Sequence, residues 1–234
     1  MSVGLPIVLI HGALQNVVDL LEQNDLSGVT LVGHSYAGML SLVPPSTCGT
    51  GSHILCTSTR CPEQGQSAMD ILPEPTRNTF LRLAEDGGGW RIRPTEHLLD
   101  LWGLEEGSAR EFVRGRLADF SIRCFSQPVQ APTHAAHTLH RSYIASVKPG
   151  YPAKVVFDPF AERARREGWS YYELPTGHDA QAEMPEALCE LLLKIAEATA
   201  CGTRRDGESG LATRHARDPD WRPVADRDGG CRTR

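Results

Sequence analysis

Thr30-Leu-Val-Gly-His-Ser-Tyr-Ala-Gly38 is the stretch that decides how this chain is read. An aliphatic run from Val29 to Val32 enters a Gly-x-Ser-x-Gly motif, and a helix-like run follows it. A serine between strand and helix sits at the apex of a turn so tight that Gly33 and Gly38 must lack side chains, and the Ser35 hydroxyl is left exposed. The following helix aims its free N–H groups at the same spot, which suits an oxyanion formed when Ser35 attacks a carbonyl. Acyl transfer through a nucleophilic serine is the chemistry this pattern points to. A plain surface turn is the competing reading of the same five residues.

Working outward, Leu5-Pro-Ile-Val-Leu-Ile10 reads as a buried parallel strand that runs into His11-Gly12-Ala13. The loop after such a strand supplies a second backbone N–H to an oxyanion. The main-chain amides of Ala13 and Tyr36 are therefore the expected donor pair, with His11 structural. Toward the other end, Trp169 to Leu174 has strand composition, Pro175-Thr-Gly-His178-Asp-Ala reads as a loop, and Met184 to Ala198 as a helix. A histidine on the loop after the last strand is where a serine-first triad ends, so His178 is the expected general base.

Four segments in this order, Ile7 to Ala13, Asn24 to Met39, Pro62 to Ser67 and Glu173 to Asp179, resemble α/β-hydrolases. Within that fold the chain is similar to small bacterial esterases related to plant methyl-ester hydrolases and hydroxynitrile lyases, over most of residues 3 to 197. The resemblance implies a mostly parallel sheet flanked by helices, a small helical cap, a small-molecule ester as substrate, and neither a metal nor an organic cofactor. The expected organisation is a hydrolase domain over residues 1–198 with a cap at about 68–140, followed by a tail over 199–234. That tail is rich in Arg, Asp, Gly and Thr without apolar periodicity, and is expected to be disordered.

Within the cap, Ile71 to Glu85 and Ser108 to Ala118 have helical spacing, and Gly87-Gly-Gly-Trp-Arg-Ile-Arg-Pro94 breaks between them. Leu98, Leu101, Trp102, Leu104 and Phe112 either line an apolar pocket over the serine or pack the core.

The formal net charge of −5 argues against a nucleic-acid role, and no apolar run reaches the roughly 18 residues needed to span a bilayer. The N-terminus enters a strand without a basic-then-apolar leader, so a cytoplasmic location is expected. Seven cysteines without Cys-x-x-Cys spacing read as free thiols. His134, His137 and His140 recur every third residue, but no carboxylate stands near them and Ala-Pro-Thr precedes them, so a loop is expected there rather than a metal site.

Three departures from the family pattern bear on activity. No carboxylate follows the strand-like Arg141 to Ala145, where the family often carries its catalytic acid. The first one downstream, Asp158, is read as either the orienting acid or the N-cap of a helix over Ala161 to Glu167. Asp179 adjoins His178 too closely in sequence to reach the other nitrogen of its ring. Between Ala13 and Val17 one strand-helix unit of roughly 50 residues is missing, far beyond ordinary loop variation. That loss bares the first strand as a sheet edge, although Leu5 to Ile10, Val17 to Glu22 and Val29 to Val32 still make a βαβ unit.

Finally, Pro44-Pro-Ser-Thr-Cys-Gly-Thr-Gly-Ser52 stands where a central strand should be, and its composition is wrong for one. Reading Ser52 to Arg60 one base earlier restores a buried-strand pattern, so compensating frameshifts across Leu42 to Cys61 are a natural hypothesis. The expected activity is a serine hydrolase acting on a carboxylic ester through an acyl-enzyme on Ser35. The alternatives are a non-catalytic remnant of the fold and C–C bond cleavage of the hydroxynitrile-lyase kind.

Overall fold

The computed structural model describes residues 7–10, 14–39, 53–57, 59, 65–128 and 139–206. Five parallel strands form its main sheet in the order β1 (Ile7–Ile10), β2 (Thr30–His34), β3 (His53–Thr57), β6 (His140–Ser146), β7 (Ser170–Leu174). Helix α1 (Leu14–Gln23) links β1 to β2. Among the described residues β1 has one neighbour, β2, so the first strand does lie at the sheet edge.

Both faces of the sheet are covered, and the inner strands accordingly carry continuous buried runs, Thr30 to Gly33 in β2 and Ser142 to Ser146 in β6. On one face Val32, Leu55, Ile144 and Leu174 pack against Leu191 and Ile195 of the long C-terminal helix α9 (Pro185–Asp206). On the other, Cys56, Tyr143 and Ala145 meet Ala161 and Ala164 of α7 (Lys154–Arg166). Successive residues of a strand point to opposite faces, so Tyr143, Ile144 and Ala145 divide between the two layers. Helix α9 continues past the expected boundary at Ala198 to Asp206, and residues 207–234, most of the expected tail, lie outside the described residues.

The central strand is present, contrary to the expectation that the Leu42 to Cys61 segment lacks one. His53-Ile-Leu-Cys-Thr57 pairs in parallel register with both β2 and β6. Pro44 to Ser52, the stretch whose composition is wrong for a strand, lies outside the described residues, and in the strand itself the polar His53 finds partners inside the sheet. The His53 ring is 3.0 Å from the Ser142 hydroxyl, and its backbone N–H donates to the carbonyl of Val29.

The segment between β3 and β6 builds the cap: α2 (Ala68–Ile71), α3 (Glu74–Asp86), α4 (Glu96–Leu101), α5 (Ser108–Arg114) and α6 (Arg123–Ser126), with a short antiparallel pair, β4 (Arg91–Ile92) and β5 (Phe120–Ser121). Ser67 and Asp70 form a capping box at the start of α2. Met69, Leu72, Phe80, Ile92 and Leu98 form a separate core that also takes in Val156 and Phe157 of α7, so the cap packs on a helix that flanks the sheet. The buried Arg110 guanidinium ties α4 to α5 by donating to the Leu104 carbonyl at 2.6 Å while pairing with Glu96 and Asp100 at 2.9 and 2.8 Å. Hydrogen bonds from Arg114 first and Arg110 second hold the Glu96 carboxyl down at about 2.

Burial, with the neighbouring His140 second, lowers the pKa of His53 from its ordinary 6.5 to about 4. Between those values the unfolded chain binds a proton that the folded chain refuses. The contribution of His53 to stability is therefore full above pH 6.5 and is lost as pH falls through that window, by about 3 kcal/mol at pH 4. Urea unfolding at pH 7 and pH 4 should show the wild type losing about 3 kcal/mol more than His53→Gln over that interval. Equal losses in the two proteins would mean that His53 titrates normally.

Candidate active site

The elbow is built as the motif requires. Ser35 adopts a left-handed φ of 53° at the start of a 3-10 turn, Ser35–Met39, directly after β2. A non-glycine residue held there is strained and persists only where its surroundings over-determine it. Those surroundings are tight. A Cβ on Gly33 would lie 2.7 Å from the Cα of Gly38, and one on Gly38 would overlap the side chain of Thr59. The Thr59 hydroxyl donates to the carbonyl of Ser35. Gly38 is thus demanded by contact with the chain beyond β3 as much as by the turn itself. The helix expected after Ser35 is a 3-10 turn as far as Met39, where the description stops.

His178 meets Ser35 across 143 positions of sequence, with Nε2 2.8 Å from the Ser35 Oγ. The imidazole is buried and packed by rings. Phe157 stacks on it at 4.8 Å and 13°, His34 lies at 4.6 Å, and Trp102 at 5.8 Å. Its main chain is held as firmly as its ring. The backbone N–H donates to the Trp102 carbonyl at 2.8 Å, and the backbone carbonyl lies 2.9 Å from His34 Nε2. A carbonyl can only accept, so His34 carries a proton on Nε2. Burial raises the pKa of the Asp179 carboxyl, with the nearby His34 offsetting part of that rise. Asp179 Oδ1 accepts from the Gln181 amide at 2.9 Å.

Asp158 lies elsewhere. It does not cap a helix: α7 begins at Lys154, so Asp158 falls inside it, where its half-exposed carboxylate is taken by the Lys154 ammonium one turn back. The residue of this pair that reaches His178 is its neighbour, Phe157. An available signal was the buried spacing Phe157, Ala161, Ala164, which is a helical stripe and places position 158 off the inner face. Pro159, an interior proline that ordinarily breaks a helix, hid it.

Tyr36 follows Ser35 in the turn, and its ring packs 6.0 Å from Phe125 of the cap. Burial, with Cys124 second, raises the pKa of its phenol. Ala13 and His11 lie outside the described residues. Of the apolar residues weighed for a pocket, Leu98 and Leu104 are buried, and Trp102 borders His178. Phe112 is 48% exposed under the guanidinium of Arg116. His134 and His137 also lie outside the described residues, and among those described no cluster of His, Cys, Asp and Glu could hold a metal ion. No helix among them is long and apolar enough to cross a membrane.

Residues 7–191 match the family model described as the alpha/beta hydrolase family. A carbendazim hydrolyzing esterase of Nocardioides sp. (strain SG-4G) is 24% identical over 201 residues, which are 80% of this chain and 79% of that protein. Among solved structures, an extracellular alpha/beta-hydrolase from a Paenibacillus species superposes with a TM-score of 0.67 at 17% identity, covering 77% of each chain. A pyrethroid hydrolase (TM-score 0.56, 22% identity, 80% of this chain and 77% of that one) and polyneuridine aldehyde esterase (TM-score 0.56, 15% identity, 78% of each) share the fold. With the strand-elbow-turn geometry around Ser35 and a match spanning most of its length, the chain belongs to the alpha/beta hydrolase family.

Proposed function

We propose that this protein is a serine hydrolase that cleaves a carboxylic ester of a small molecule. The observation that carries the reading is the 2.8 Å contact between Ser35 Oγ, strained at the apex of the elbow, and His178 Nε2. In this geometry the serine O–H donates to His178 Nε2. As Oγ attacks the ester carbonyl, the proton passes to the imidazole, and a C–O bond forms while the carbonyl π electrons move onto its oxygen. That oxyanion is met by the backbone N–H groups of Tyr36 and Ala13. Collapse expels the alcohol, which takes the proton back from His178, and leaves the acyl group on Ser35. Water, deprotonated by the same imidazole, then releases the acid.

The family match and the esterase relative support hydrolysis of an ester in general, and the apolar rings around His178 suit an apolar acyl or aromatic group beside the bond that breaks. The presence of β3 in the sheet, together with an assembled serine and histidine, favours this reading over a non-catalytic remnant.

A fluorophosphonate probe should label the purified wild type, and both Ser35→Ala and heat denaturation should abolish labelling. A folded wild type that stays unlabelled would end the reading. Asp158→Asn should lower kcat/KM by less than about tenfold, because its carboxylate serves a half-exposed ion pair of small energetic worth. A drop on the order of ten-thousandfold, the cost of removing a triad acid, would return Asp158 to the catalytic machinery.

A further inference from the structure

Lys148 follows β6, and its side chain is 21% exposed. Its ammonium has three protons and spends them on three oxygens: the Gly103 carbonyl at 2.9 Å, Glu183 Oε1 at 3.0 Å and Glu105 Oε1 at 3.0 Å. Glu183, 15% exposed, uses its second oxygen to accept the backbone N–H of Gly177 at 2.6 Å. Gly177 immediately precedes His178, whose own N–H donates to the Trp102 carbonyl. Gly103, one residue past Trp102, bears the carbonyl that Lys148 holds.

These bonds join three separate segments: the end of the cap helix α4 with Gly103 to Glu105, the loop after β6, and the loop that carries His178. The contact leaves no slack. A Cβ on Gly177 would stand 2.4 Å from the Trp102 carbonyl oxygen and 2.9 Å from Glu183 Oε2, and one on Gly103 would stand 2.5 Å from Tyr151 Cβ. The loop after β6 is itself fixed, because Val147 and Lys148 extend the sheet pairing by donating to Leu174 and Thr176.

We propose that the Lys148–Glu183 ion pair is a latch between cap and base, with Lys148 and Glu183 acting as positioning residues that hold the main chain of Gly177 and His178 so that the imidazole meets Ser35. The pair touches neither Ser35 nor the imidazole, so it acts through the backbone, and it deepens the serine hydrolase reading on which its catalytic consequence rests. Because Gly103 and Trp102 belong to the cap and the same bonds reach His178, a substrate that displaces the cap also displaces the base. Charged hydrogen bonds of this kind, mostly screened from water, are stronger than neutral ones, and removing one partner strands the other. The pKa of Lys148 is raised because the bonds to Glu183 and Glu105 outweigh the opposing effect of its burial.

The test compares Lys148→Met, Lys148→Arg and Glu183→Gln with wild type by two readouts: the rate of fluorophosphonate labelling at Ser35, and amide hydrogen exchange of the peptide spanning residues 175–183. Lys148→Met should label at least about tenfold more slowly and exchange faster at 175–183, while distant peptides from β3 and β6 stay protected. Lys148→Arg should recover most of both. Glu183→Gln keeps an acceptor for Gly177 but loses the ion pair, so it should fall between, and it serves if Lys148→Met does not fold. Wild-type exchange at 175–183 in both Lys148→Met and Glu183→Gln would overturn the latch, as would wild-type labelling rates in both. If the wild type itself does not label, the hydrolase reading fails separately, and the exchange measurement still decides whether the latch exists.

Discussion

Ser35 and His178 leave the main sheet from β2 and β7, with β3 and β6 between them. At the spacing of neighbouring strands the two attachment points are roughly 14 Å apart. The remaining structure around the site serves to close that gap to 2.8 Å. The loop from Pro175 to Asp179 does so by way of the end of β6, where Thr176 meets Ser146 and Lys148, and it is held there by contacts from outside itself. These are the Trp102 carbonyl, Glu183, and His34 at the end of the nucleophile's own strand. The last of these links the two halves most directly. His34 and Ser35 are consecutive, and each contacts residue 178, one at its carbonyl and the other at its ring.

Such closure explains why the cap is more than a cover. Its apolar core contains Phe157, which stacks on the base, and its α4 terminus supplies the carbonyl that fixes the base's main chain. The Arg110 cluster that holds α4 against α5 therefore bears indirectly on the alignment of His178, because Trp102 and Gly103 directly follow α4. In a site where a misplacement of about 1 Å can cost a hundredfold in rate, packing that looks remote from the chemistry is part of it.

What was legible in the sequence follows from what local pattern can encode. The presence of β2, the demand for glycine at position 33, and the loop position of His178 are dictated by neighbours close in sequence, and the structure agrees with each, although β2 runs from Thr30 to His34 rather than from Val29 to Val32. Strand β3 was not legible because its justification is nonlocal. His53 is tolerable in a sheet centre only since Ser142, 89 residues away, lies beside it, and since burial keeps its ring neutral over most of the pH range. Asp158 misled for the complementary reason. A carboxylate in roughly the right stretch of chain invites a catalytic reading, but the helical phase beginning at Lys154 points it toward Lys154 and gives the inner position to Phe157. Lys148 carried no signal at all, since a lone lysine after a strand becomes informative only when Glu183, Glu105 and Gly103 converge on it.

The missing strand-helix unit now has a physical interpretation. Its absence leaves β1 paired with β2 alone among the described residues, and β1 is the strand farthest from β7 and the base loop. The contacts that align His178 come from β2, the cap, the loop after β6, and helices α7 and α8 (Ala180–Glu183), not from β1 or α1. The loss therefore falls on the sheet edge rather than on the meeting of serine and histidine. An apolar, four-residue parallel strand with an unpaired side is a liability for association with other chains. The catalytic geometry depends instead on β3, because the Thr59 just beyond it holds the Ser35 carbonyl and fills the space against Gly38. The Pro44 to Ser52 departure in sequence, directly before β3, is thus the more consequential of the two, since any shift in the register of His53 to Thr57 would move Thr59 and loosen the elbow itself.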